Sequence, residues 1–278
     1  MKITVIGLGL IGGSMALDLK ARGFCSHITG VDTDPENAKK ALELGIADEI
    51  KPLEDSLSSD LVIVSTPVTA TAKMLSHILD LAGEHTVVMD VGSTKNEICQ
   101  TVKKHPKRKQ FVGTHPIAGT ENSGPAAAVK NLFDQKTCIL CVDDSALWVV
   151  ERVSEVYDTL NMNTLFMNAD EHDMHVAYVS HISHISSFAL ATTVLEMEKN
   201  TSTIFDLAGS GFASTVRLAK SSPDMWAPIF KQNSKYISKA LSTYIKHLTK
   251  FKKDIDSKNS KGTHASMEKA NAIRKILK

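Results

Sequence analysis

Along the first 168 residues, short apolar runs alternate with segments whose apolar positions recur three or four apart. Lys2-Ile3-Thr4-Val5-Ile6, His27-Ile28-Thr29-Gly30-Val31-Asp32, Leu61-Val62-Ile63-Val64-Ser65, Thr86-Val87-Val88-Met89-Asp90-Val91, Gln110-Phe111-Val112, Thr137-Cys138-Ile139-Leu140-Cys141-Val142 and Thr164-Leu165-Phe166-Met167 have the length and β-branched content of strands. Their nearly continuous apolar character predicts burial on both faces, as in a parallel sheet. Helical spacing intervenes at residues 13–20, 96–104 and 146–160. From Ala169 onward the alternation stops, leaving long helical patterns at 172–199, 204–219 and 225–251 and a short one at 267–277. The pattern predicts an N-terminal α/β domain, residues 1–168, and a C-terminal all-helical domain, residues 169–278.

The helical half carries more apolar surface than it can bury alone. Ile185, Phe188, Ala189, Thr192, Leu195 and Met197 occupy much of one helix's circumference, and Ile229, Ile237, Leu241, Ile245 and Leu248 form a stripe on another. Helices patterned this way need more neighbours than about 110 residues provide, so a two-fold homodimer through these helices is expected. A net charge of +1 gives no long-range field for nucleic acid or an anionic membrane, which points to a small-molecule substrate. The Lys-rich tail, 252–278, reads as a solvated helical face. With no secretion signal and no run approaching a membrane span, a cytoplasmic protein is expected. The four cysteines make no disulfide framework. Cys138 and Cys141 share a strand at odd separation, so their thiols should face opposite sides of the sheet.

Gly7-Leu8-Gly9-Leu10-Ile11-Gly12 lies between the first strand and a helix, the context in which the G-x-G-x-x-G pattern signals a dinucleotide site. Gly7 permits the tight turn, Gly9 lets backbone approach a pyrophosphate, and Gly12 lets helix and strand pack closely. Asp32 ends the second strand, where a carboxylate holds the adenosine ribose. No Arg or Lys follows before Lys39 to hold a 2′-phosphate, so NAD is favoured over NADP. Thr66-Pro67 ends a further strand against the adenosine half of the site.

Ligands collect at the carboxyl ends of such strands, and Thr66, Ser93 and His115 each follow one. The stretch from Gly113 to Gly124, GTHPIAGTENSG, is so punctuated by glycine and proline that it reads as a loop, presenting His115, Thr120 and Glu121 to a cleft. The alternatives are a solvated surface histidine and, for Ser93, a plain helix cap. In the helical half, Ser180, His181 and His184 share one arc and need partners. On a continuous helix His172 and His175 lie nearly opposite His181 and His184, so one metal ion cannot collect all four and no metal site is expected. Arg217 sits among small apolar residues, suited to a substrate carboxylate or to a structural salt bridge. Trp226 reads as a packing residue.

Gly7-Leu8-Gly9-Leu10-Ile11-Gly12-Gly13-Ser14, Asp90-Val91-Gly92-Ser93-Thr94-Lys95, His115-Pro116-Ile117-Ala118-Gly119-Thr120-Glu121, Ser180-His181 with His184, and Arg217-Leu218-Ala219 with Met225-Trp226 together resemble the prephenate dehydrogenase family, which includes arogenate and cyclohexadienyl dehydrogenases. The resemblance implies a Rossmann domain joined to a helical dimerisation domain, and NAD-dependent oxidative decarboxylation of prephenate or arogenate. It further implies that His115 hydrogen-bonds the ring hydroxyl, Ser93 orients it beside the nicotinamide, and Arg217 binds a substrate carboxylate. Thr120, Glu121, Ser180, His181 and His184 would line the pocket. Ser214 and Val216 stand where many members have Asp and Thr. Two other readings remain: another dehydrogenase of this architecture, or a non-catalytic NAD-binding module.

Overall fold

The computed structural model describes residues 1–198 and 204–276. Its first half comprises β1 (Lys2–Ile6), α1 (Leu10–Ala21), β2 (His27–Val31), α2 (Pro35–Glu43), β3 (Glu49–Ile50), β4 (Leu61–Val64), α3 (Val68–Leu81), β5 (Val87–Asp90), α4 (Asn96–Thr101), β6 (Phe111–Pro116), β7 (Thr137–Cys141), α5 (Leu147–Thr159) and β8 (Asn163–Phe166). The strands form one sheet in the order β3-β2-β1-β4-β5-β6-β7-β8. β1 lies between β2 and β4, so the chain direction across the sheet reverses there and a crevice opens at the strands' carboxyl ends. Alternate side chains fill two cores. Ile3, Val5, Leu61 and Ile63 point to one face, and Ile6, Val62 and Val64 to the other. Cys138 and Cys141 fall in opposite cores as free thiols, as their spacing requires.

The expected loop at Gly113 begins later than the residues suggest. β6 continues through Pro116, because Gly113, Thr114, His115 and Pro116 pair antiparallel with Cys141, Leu140, Ile139 and Cys138 of β7. A proline at the strand's last position costs no interior ladder bond. Gly113 is there for space: a Cβ would lie 3.0 Å from Cys99 Sγ.

The second half contains α6 (Ala169–Val176), a π turn (Ala177–His181), α7 (Ile182–Glu198), 3-10 turns at Ile204–Leu207 and Arg217–Lys220 around α8 (Ser210–Val216), α9 (Pro223–Gln232), α10 (Ser234–Asp256), α11 (Ser260–Ala270) and a 3-10 turn at Asn271–Lys275. Asn168 caps α6 by accepting from Glu171 N at 2.8 Å, which moves the helix start ahead of the expected His172. The expected ends at Lys199 and Leu277 lie outside the described residues. The single helix expected over 204–219 is a 3-10 turn, the short helix α8 and a second 3-10 turn; Gly209, which loses the most conformational freedom on becoming helical, stands at the first break as the N-cap of α8. The helix expected over 225–251 starts earlier, with Pro223 in the first turn, and breaks at Asn233. Asn233 spends its amide on a tertiary contact instead, donating to Asp173 O at 2.7 Å. Among the described residues no helix is long and apolar enough to cross a membrane.

The halves share a core and a polar seam. Ala169, Trp226 and Ile229 belong to the same apolar cluster as Val64, Val68 and Phe111. The Asp173 carboxylate caps α4, accepting from Lys95 N at 2.8 Å and Asn96 N at 3.0 Å. Thr94 bonds Gln232, which also donates to Val68 O at 3.2 Å. The cap leaves Lys95 pointing into the sheet domain, where its fully buried ammonium donates to the fully buried Asp90.

Burial pushes the Asp90 carboxyl above the usual carboxylate range, while the Lys95 charge pulls it back. Lys95→Met removes that pull and leaves Asp90 to stay buried as the neutral acid. A carboxyl whose folded pKa is raised contributes stability fully below its unfolded pKa and loses it as pH rises. Lys95→Met is therefore expected to cost about 3–5 kcal/mol at pH 8 and distinctly less at pH 5. Urea unfolding at the two pH values measures this; equal losses at both would show that Asp90 does not depend on Lys95.

Candidate active site

The glycine turn is built as a cradle. Gly7 has φ +91°, and a Cβ there would lie 2.5 Å from Ser65 O; one on Gly12 would lie 2.2 Å from Gly7 O. Both glycines are required by close backbone packing. Gly9 differs: its Cβ would meet nothing nearer than Gly124 N at 4.0 Å, so its open face permits approach by a ligand. Gly9 is the N-cap of α1 and supplies no side-chain acceptor, leaving the first-turn amides of Leu10, Ile11 and Gly12 for an anion. Asp32 holds the turn from the side, its carboxylate accepting from Leu8 N and Asp34 N, each at 3.0 Å. Asp34 then caps α2, and Lys40 on that helix pairs with Glu43. A pyrophosphate and a ribose diol thus fit the residues present. Thr66 and Pro67 lie at the mouth of β4, with Thr66 bonded to Thr71 at 2.9 Å.

His115 stands near the end of β6, partly exposed, while its backbone is pinned by the ladder to β7. Thr114 behind it is fully buried, bonded to Asp90 O and Tyr157. His115 Nδ1 lies 2.8 Å from Nε2 of His172, and Nδ1 of that buried ring lies 2.8 Å from the Asp173 carboxylate. Burial holds His115 well below its ordinary pKa, reinforced by His172 and the Lys95 charge, so the ring is neutral at physiological pH. His172 is lowered by burial too, against the pull of Asp173. Ser93 precedes α4, but the cap position belongs to Lys95, so Ser93 is not the helix cap. Beyond His115 the chain passes through Thr120 and Glu121, both exposed, and returns at Gly124 to Gly9. Val129 N then donates to Ser14 at 3.0 Å and Asn131 N to Asp18 at 2.9 Å, fastening the return along α1.

From the helical half, His181 is fully buried, with Nδ1 3.1 Å from the Asn233 amide and its ring edge-on to Trp226. Burial pushes it down to about 4. His184 stacks on Trp226 with centroids 3.5 Å apart, and its Nδ1–H donates to Ser180 O at 3.1 Å, so Ser180 acts on it through its backbone. Arg217 is exposed and lies 3.9 Å from Glu121, bringing the loop after β6 face to face with the helical half. The helix on which His172 and His181 are expected nearly opposite is not a continuous α-helix: the π turn between them advances each residue by less rotation than an α turn, and Asn233 bonds both the Asp173 carbonyl and His181.

Sequence reasoning missed His172 and Asp173 as neighbours of His115. Their signal, an Asp beside a His in the first turns of a helix, is unremarkable until β6 and α6 are placed together.

A family model described as the nucleotide-binding domain of prephenate dehydrogenase matches residues 15–164, beginning just after the glycine turn, and one described as its dimerization domain matches residues 168–269. The prephenate dehydrogenase of Bacillus subtilis is 32% identical over 94% of this chain and 72% of its own. The crystal structure of prephenate dehydrogenase from A. aeolicus, in complex with hydroxyphenyl propionate and NAD+, superposes with a TM-score of 0.92 at 31% identity, covering 100% of this chain and 98% of that one. Synechocystis arogenate dehydrogenase gives 0.77 at 26% identity, with both chains covered in full. An α/β nucleotide-binding half, a helical dimerization half and these matches across nearly the whole length lead to one conclusion: the chain belongs to the prephenate dehydrogenase family.

Proposed function

We propose that this protein catalyses the NAD-dependent oxidative decarboxylation of prephenate to 4-hydroxyphenylpyruvate, a step of tyrosine biosynthesis. The observation that carries the reading is His115: a neutral imidazole held at the end of β6, on the sheet edge that also bears the glycine turn. A base for a ring hydroxyl must be unprotonated before the reaction, and a buried-side histidine is unprotonated across the physiological range.

In this reading the amides of Leu10, Ile11 and Gly12 hold the cofactor's pyrophosphate and Asp32 its adenosine ribose, with Thr66 and Pro67 beside the adenosine. NAD bound there supplies the hydride acceptor. His115 accepts the proton of the ring hydroxyl as hydride leaves the same carbon, and Ser93 orients that hydroxyl. Arg217 pairs with a substrate carboxylate. Thr120, Glu121, Ser180, His181 and His184 line the pocket, and formation of the aromatic ring drives release of carbon dioxide. Arogenate is the second reading. It shares the ring chemistry and carries an ammonium in place of the side-chain keto group, for which Glu121 offers an exposed carboxylate.

The active form is a homodimer. In the single chain α7 leaves Leu190 and Leu195 exposed, and α10 leaves Ile245 and Leu248 exposed, although Ile229 and Ile237 of the same stripe are buried. Apolar side chains exposed along two helices that touch each other give a second copy of the chain a surface to cover.

Absorbance at 340 nm with NAD and either prephenate, arogenate or a simple hydroxyacid tests the activity. Reduction with prephenate is expected; turnover of the hydroxyacid alone would overturn the reading. His115→Asn should lower kcat by about 10²-fold to 10⁴-fold with little change in KM, the usual effect of losing a general base. Arg217→Gln should instead raise KM by at least about tenfold with a smaller fall in kcat, because carboxylate binding is common to ground and transition states. An unchanged KM would make Arg217 a structural partner of Glu121. Sedimentation equilibrium should give a dimer from nanomolar concentration upward, and a fully active monomer would show that the helical half closes its own core.

A further inference from the structure

The contact between His115 and His172 contains more information than its length. Two imidazole nitrogens 2.8 Å apart share a single proton, so one ring donates and the other accepts. Which does which follows from the far side of His172. There Asp173 accepts from Lys95 N and from His172 Nδ1 on Oδ1, and from Asn96 N on Oδ2. With backbone donors on both oxygens, the carboxyl group acts as an acceptor toward His172, so Nδ1 of His172 carries its proton. Burial disfavours the doubly protonated ring, and His172 has no exposed surface. The Nε2 of His172 is then a lone pair, and His115 Nδ1 must be the donor.

We propose that His172 is a positioning residue that fixes His115 in the tautomer with its proton on Nδ1 and its lone pair on Nε2, and that Asp173 holds His172 in the matching tautomer. The inference rests on the reading of His115 as the base. An imidazole without such a partner distributes its proton between both nitrogens and can turn its ring, and the Nε2–H form has nothing with which to accept a proton. In the reaction, the hydroxyl proton moves to His115 Nε2, the pair of electrons with its hydrogen leaves the ring carbon for the nicotinamide, and carbon dioxide departs with the loss of the ring carbon–carboxylate bond. His115 becomes an imidazolium whose Nδ1–H already points at an acceptor backed by the Asp173 charge. Because Asp173 also caps α4, the helix that follows Ser93, one carboxylate from the helical half sets both the base and the backbone beside it.

The test uses the full-length protein. Histidine-selective ¹⁵N spectra of the wild type at pH 7, with His115 assigned by the signal lost in His115→Asn, are expected to show a protonated Nδ1 and an unprotonated Nε2. A wild-type His115 protonated on Nε2 overturns the proposal without any change to His172. His172→Phe keeps a flat ring but no acceptor, and His172→Gln restores an oxygen acceptor near the position of Nε2. The Phe variant should shift the His115 proton toward Nε2 and lower kcat about 10²-fold to 10⁴-fold with KM nearly unchanged, and the Gln variant should recover at least about tenfold of that loss. A Phe variant within about threefold of wild-type kcat, its His115 tautomer unchanged, would also overturn it. Should the protein oxidise neither prephenate nor arogenate, the functional reading fails on its own, and the spectra still decide the tautomer.

Discussion

The Asp173 carboxylate at the start of α4 is the contact on which the rest of the arrangement depends. A short helix presents unpaired amides and a partial positive charge at its first turn, and a carboxylate is the natural complement. Here the carboxylate comes from the other half of the chain, at 2.8 and 3.0 Å from two backbone amides. Hydrogen bonds to a charged group contribute about 1.5–3 kcal/mol each, so the cap fixes α6 against the sheet more firmly than the apolar seam alone would. Two consequences share that origin. Lys95 is directed inward to Asp90, and His172, next to Asp173 in the chain, is carried to His115.

How much of this could be read in the sequence depended on the range of the interaction involved. The glycine turn, the flanking strand and helix, and the acid at the end of β2 are local features, legible because each residue answers to neighbours within one βαβ unit. The opposed burial of Cys138 and Cys141 was legible for the same reason, since it follows from strand period alone. The extension of β6 through Pro116 was not, because glycine and proline argue for a loop and only the distant partner β7 argues for a strand. The break at Asn233 was hidden likewise: the apolar spacing runs straight through it, and the cause is a carbonyl on another helix.

Within the candidate site the same division holds. His115, Ser93 and Arg217 could be nominated by residue type and position at strand ends or near glycine. The environment that lowers the His115 pKa could not, because it is made first by burial and then by His172, Lys95 and His181, groups brought together from distant parts of the chain. Glu121 and Arg217, almost a hundred positions apart, meet at 3.9 Å only because the loop after β6 folds toward the helical half.

The π turn at Ala177–His181 has a consequence for how this chain tolerates change in length. It amounts to one surplus residue in an otherwise α-helical rod, so the apolar phase of α6 and that of α7 are offset. Removing a single residue there would not shorten a loop. It would restore uninterrupted α geometry and leave everything beyond it on nearly its present face, because the five residues of the π turn sweep about the same angle as four residues of α-helix. The His184 ring would keep its place on Trp226. The same deletion made within α7 has no surplus to absorb it and would turn every later residue by about 100°. In this rod the π turn is a reserve of length, and where a residue is lost matters more than that one is lost.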